Sequence, residues 1–173
     1  MFFVLDNEFA DGELWRLREL LDLLDVKISE INELIKASPD PDSEGLCDRG
    51  EYFIGVGFVA IQQYLVETIM FSGLSKTEAY KLGPLHSFGG TSISLINSCA
   101  NWWKHEPEWF SAGEIPNNGK KTFEKVSSVT ESPSYQLSNV LASFCGDNIV
   151  SFKYVISELE KWRKDVHENS KNA

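Results

Sequence analysis

LWRLRELLDLLDVKISEINELI, residues 14–35, decides the fold. Leu14, Leu17, Leu21, Leu24, Ile28, Ile31 and Ile35 recur at alternating steps of three and four, which places all seven on one face of a single long helix. Asp11 stands where a helix N-cap is needed, and Ser38-Pro39 marks the stop. The stripe must be covered. Packing against the chain's own helices does that most simply, although three heptads are also the minimum for a coiled-coil partner.

Reading outward, PDPDSEGLCDRG (residues 39–50) is an acidic connection rich in turn formers. A second helix is expected from about Arg49 to Phe71. Its segment YFIGVGFVAIQQYLV is apolar on nearly all sides, as the central helix of a bundle must be. Gly55 and Gly57 each cost a helix about 1 kcal/mol relative to Ala, so a second backbone is expected to pack closely there. LSKTEAYKL reads as a short helix from near Ser75 with a capping box, broken at Gly83-Pro84.

HSFGG then leads to Thr91 or Ser92 as the cap of a helix running to about His105, which Pro107 should end within a residue or two. IPNNGKK is a turn, with a short helix from Lys120 to about Ser128. Ser132-Pro133 marks a helix start, and Gly146 its close after Phe144. Asp147 or Asn148 opens the last helix, striped by Ile149, Phe152, Ile156, Leu159, Trp162 and Val166, with residues 168–173 fraying. No segment sustains strand alternation. The expectation is one all-α domain over residues 1–173: an antiparallel bundle of four long helices with one or two short additional ones, and an acidic loop at 38–48.

Composition narrows the function classes. Sixteen basic and 26 acidic residues leave a net charge of -10. Residues 1–50 hold 13 acids and 5 bases, so the remainder is close to neutral. A nonspecific nucleic-acid binder shows a basic surface, which this chain as a whole lacks, although a local basic patch is compatible with the near-neutral part. Cys47, Cys99 and Cys145 are odd in number and far apart, which suggests neither a disulfide framework nor a zinc knuckle. The apolar opening MFFVL has no basic flank, so a signal peptide is not expected there. The longest apolar run, Tyr52 to Ile61, is about half the ~20 residues that span a bilayer. A cytoplasmic protein without a membrane role is expected.

The chemistry-bearing residues cluster in NSCANWWKH, residues 97–105. Asn97, Asn101 and His105 recur every four residues and so share a helix face, with Ser94 and Lys104 beside them. Imidazole, with an ordinary pKa near 6.5, serves as acid or base at neutral pH. The amides orient it or bind an anion, and Lys104 adds positive charge. The same pattern also suits a structural edge, in which the asparagines bond neighbouring helices and His105 and Lys104 meet the negative end of the helix dipole. Trp102, Trp103 and Trp109 can stack on bases; Trp103, on the apolar stripe, reads as core.

His86 lies just before this helix and His105 some 14 residues into it, about 21 Å along the axis, so one chain does not unite them. No histidine or cysteine pair has ligand spacing, so neither a metal nor a cofactor is expected. Gly89-Gly90-Thr91-Ser92 offers free amides to an anion, or simply a turn and cap. Arg163 and His167 read as a solvated pair.

ANWWKH, residues 100–105, resembles the signature of the HEPN superfamily, all-helical proteins that include ribonuclease toxins of toxin–antitoxin and phage-defence systems. Asn101 and His105 match the motif's polar residue and histidine, while Ala100 stands where the motif has arginine. The longer pattern GPLHSFGG with NSCANWWKHEPEW, residues 83–109, is similar to a group of uncharacterised bacterial proteins. The resemblance implies a homodimer acting on RNA without a metal. In that scheme His105 is acid or base, Asn101 orients it, Lys104 contacts phosphate, and an antitoxin protein is a partner. Asn97, His86 and Trp102 would then belong to the binding surface. Missing the arginine, with its bidentate phosphate clamp, the same resemblance implies as its alternative a non-catalytic interaction or regulatory protein on the same fold.

Overall fold

The computed structural model describes residues 2–5, 8–87, 89–113, 115–129, 132 and 134–170. Their elements run β1 (Phe2–Leu5), β2 (Glu8–Asp11), α1 (Gly12–Ala37), α2 (Leu46–Met70), α3 (Lys76–Ala79), α4 (Ser92–Ser111), α5 (Asn117–Ser127), α6 (Gln136–Cys145) and α7 (Lys153–Ser170). The fold is the expected all-α bundle, built on four long helices, α1, α2, α4 and α7. Three shorter helices accompany them where one or two were expected.

Asp11 caps α1 as its position required, accepting from the Glu13 and Leu14 amides at 3.1 and 3.2 Å. The other Asp11 oxygen accepts from Tyr64 Oη at 2.9 Å and Arg163 Nε at 3.2 Å. Tyr64 thus meets the start of α1, while Gly50 lies against Ile31 near its end, so α1 and α2 run antiparallel. Asp25 meets Phe152 as Asp11 meets Arg163, which makes α7 antiparallel to α1 as well. Gln62 reaches Asn97 and Asn101, whereas Gly55 faces Trp103; α4 therefore opposes α2. Leu21, Ile28, Phe58, Ile61, Phe152 and Trp162 fill the shared core and are at most 2% exposed.

By length and composition α2 could cross a membrane, against the expectation from its shorter uninterrupted run; in this fold it packs against α1, α4 and α6. Gly55 and Gly57 admit close neighbours, but these are rings and not backbones. A Cβ at Gly55 would lie 1.8 Å from Trp103 Cδ1, and one at Gly57 2.2 Å from Phe152 Cζ.

Other expectations are corrected. Residues 2–5 and 8–11 pair as two antiparallel strands that their sequence did not announce. Pro107 does not end α4, which continues to Ser111. A mid-helix proline costs about 3 kcal/mol. The turn beyond it offsets that cost by carrying Trp109 and Phe110 onto Trp102, with centroids 5.9 and 6.2 Å away.

α5 begins three residues before Lys120, and α6 begins at Gln136 instead of Ser132-Pro133, of which Pro133 lies outside the described residues. Its cap is distant in sequence. Glu51 of α2 accepts from the Leu137 and Ser138 amides at 2.7 and 2.9 Å and from Ser138 Oγ at 2.6 Å. That clamp and a Tyr135–Asp42 hydrogen bond hold Tyr135 at φ 56°, a conformation costly without glycine.

α7 likewise starts at Lys153, not at Asp147 or Asn148, because Asp25 of α1 accepts from Ser151 Oγ and the Phe152 amide at 2.5 and 2.8 Å. Ile149 is consequently 77% exposed and outside the core stripe. α7 stays helical to Ser170, past His167, and the last three residues of the expected frayed tail lie outside those described.

Candidate functional site

Helix α4 starts where Thr91 Oγ1 accepts from the Ser94 amide at 3.2 Å and donates to the Tyr80 carbonyl at 2.6 Å. At the Gly89–Ser92 turn, expected to offer amides to an anion or simply to cap the helix, negative charge comes from within the fold. Ser92 Oγ donates to Glu158 at 2.7 Å, so a carboxylate of α7 stands at this positive helix end.

Further along, the polar face turns toward α2. Gln62 Nε2 donates to Asn97 Oδ1 at 2.8 Å and to Asn101 Oδ1 at 2.9 Å. Its Oε1 accepts from Lys104 Nζ at 2.6 Å. Tyr80 Oη donates to Asn97 Oδ1 at 2.9 Å, and burial pushes the Tyr80 phenol up to about 12, keeping it a donor at neutral pH. Gln62 is buried, and all of its side-chain hydrogens and its carbonyl are engaged.

Asn97, Asn101 and Lys104, three residues of the NSCANWWKH stretch, are thus joined through Gln62 of α2, which lies outside that stretch. The signal for Gln62 was present in the sequence: an amide inside an otherwise apolar helix needs a partner.

His105 is not part of this network. Its Nδ1 lies 3.1 Å from Glu108 Oε2, its ring stacks on Trp109 at 5.8 Å, and no described hydrogen bond joins it to Asn101 or Lys104. Helix geometry explains the division. At about 100° per residue, Lys104 lies roughly 20° from Asn97 around the axis, but His105 lies roughly 80° away. Equal spacing put Asn97, Asn101 and His105 on one broad face; the drift over eight residues carries the imidazole beyond the reach of Gln62.

The tryptophans are buried to different depths than expected. Trp102 is 3% exposed, its ring set among Trp109, Phe110 and Phe123, so it offers no free face to a base. Trp103, expected in the core, is half-buried between Gly55 and Tyr52. His86 belongs to the other end of α4, with Nε2 3.1 Å from Ser143 Oγ and its ring edge-on to Phe144 at 4.8 Å. Burial lowers its pKa against the opposing pull of Glu158. Arg163 is not solvated but paired inward with Asp11, the two side chains 15% and 8% exposed.

The electrostatics near the C-terminal half of α4 are acidic. Glu106 lines a cleft with Glu51 and Asp48, and burial together with the Glu51 charge raises its pKa. The only positive charge bonded to the Gln62 network among the described residues is Lys104, whose ammonium is already held. The arrangement positions helices and buries amides, and His105 stands outside it beside Glu108. No family model, curated protein or solved structure matches this chain.

Proposed function

We propose that this chain is a non-catalytic interaction or regulatory protein on a HEPN-like helical bundle. One observation carries the reading: the Asn97 and Asn101 amide oxygens and the Lys104 ammonium are bonded to Gln62 and Tyr80, while His105 sits apart with Glu108. General acid–base chemistry needs the imidazole within hydrogen-bond reach of the reacting group, and Asn101, the residue expected to orient His105, is bonded to Gln62 instead. Ala100, fully buried, stands in place of the phosphate-clamping arginine, and the neighbouring carboxylates repel a phosphate backbone. On this reading the protein works in the cytoplasm as a homodimer, or with an antitoxin-like partner, by contact alone.

A second reading, RNA binding or metal-independent RNA cleavage in a toxin–antitoxin or defence setting, has its own support. The His105 side chain is 44% exposed beside Lys104, so a second protomer could meet it. Incubation of purified protein with mixed RNA, alongside His105→Ala, separates the two. The expected outcome is no cleavage by wild type; cleavage that the variant loses would overturn the non-catalytic reading. Mass in solution tests the dimer.

A further inference from the structure

The cleft beside α4 enters the functional readings only through the negative charge of its carboxylates. It is a half-open depression of about 300 Å³ between the start of α2, the later turns of α4 and the start of α6. Two of its walls are aromatic. The Tyr52 and Trp103 rings meet edge-on at 5.7 Å with their planes 68° apart, forming a corner. Trp103 is fixed in that corner because its indole occupies the space a side chain at Gly55 would need.

The remaining wall is negative. Asp48, Glu51 and Glu106 line the same cleft, and no described lysine, arginine or histidine forms an ion pair with any of them. Glu51 is anchored by its three bonds to α6 and cannot swing away to solvent without uncapping that helix.

We propose that this cleft binds an organic ammonium cation, seated in the Tyr52–Trp103 corner and neutralising Glu106. Aromatic faces attract ammonium cations through the ring quadrupole, and a carboxylate beside the rings strengthens the attraction. A metal ion gains nothing from aromatic walls, and among the described residues no group of three His, Cys, Asp or Glu side chains is placed to hold one. Phosphate-bearing ligands meet the wrong sign of charge. The volume is at the small end of ligand sites, matching a headgroup and not a polycyclic molecule. The cation arrives either as a free amine or as the lysine side chain of another protein. The proposal stands whether or not the protein acts on RNA.

Titration calorimetry of the full chain tests it, using choline chloride in one arm and a (Gly-Lys)₄ peptide in the other, each against potassium chloride of equal ionic strength. Saturable binding of choline assigns the site to a free amine; saturable binding of the peptide alone assigns it to a partner's lysine. Potassium should give no saturable heat. Glu106→Gln and Tyr52→Leu, both at solvent-accessible positions, should each weaken binding about 2–5-fold with unchanged circular dichroism. Absence of saturable binding in both arms, or wild-type affinity in both variants, would overturn the proposal.

Discussion

Gly57→Ala sets two effects against each other. Helix propensity favours alanine by about 1 kcal/mol at an interior position. The added Cβ, however, would lie 2.2 and 2.5 Å from Phe152 Cζ and Cε2, far inside the ~3.5–4.0 Å of an ordinary carbon contact. Relief requires moving the ring by more than about 1 Å. Phe152 is fully buried and packed edge-on against Phe58 at 5.6 Å, so the displacement propagates into the core. Overpacking of this size costs about 3 kcal/mol, leaving a net loss of about 2 kcal/mol.

Urea unfolding at 25 °C measures it. With a slope near 2–3 kcal/mol/M, the midpoint should fall by about 1 M while the slope itself stays constant. Phe152→Leu in the Gly57→Ala background should recover part of the loss, giving a favourable coupling of about 1 kcal/mol in a double-mutant cycle. A Gly57→Ala variant as stable as wild type, or more so, would refute the close approach of Phe152 to α2.

The polar network and the histidine of the opposite end give two further predictions. Gln62→Leu removes the bonds to Asn97, Asn101 and Lys104 and should destabilise by about 2–3 kcal/mol, whereas Lys104→Met, at an exposed position, should cost less than about 1 kcal/mol. Equal effects in denaturant titrations would show that Gln62 does not organise the face. Burial lowers the folded-state pKa of His86 below the ordinary 6.5, so its contribution is fully present above pH 6.5 and is lost as pH falls through the folded value. Unfolding midpoints measured between pH 7.5 and 5 should therefore drop more steeply for wild type than for His86→Gln; parallel curves would contradict the burial.

Much of the scaffold was legible because helix formation answers to local pattern. The stripe from Leu14 to Ile31 is buried as its spacing required, and Asp11, Ser75 and Thr91 cap the helices they precede. The misplaced helix starts share one cause. Glu51 caps α6 and Asp25 caps the start of α7 from 86 and 127 residues away, and no reading of neighbours along the chain detects a cap that comes from across the bundle. Pro107 fails as a stop for a related reason: the aromatic cluster of Trp102, Trp109 and Phe110 outweighs a local penalty.

For the candidate site the division is sharper. By itself the sequence determined that Asn97, Asn101, Lys104 and His105 lie on the polar side of one helix, since side-chain direction follows from the helical repeat alone. Only the tertiary structure decided what that side faces. Gln62, further along α2 than the glycine that lets Trp103 approach, gathers the amides and the lysine; His105, rotated past its reach, turns to Glu108. Periodicity sets the direction of a side chain, but the partner at the end of that direction depends on how two helices pack, and on this chain that packing turned the two amides toward Gln62 and tied the lysine to it.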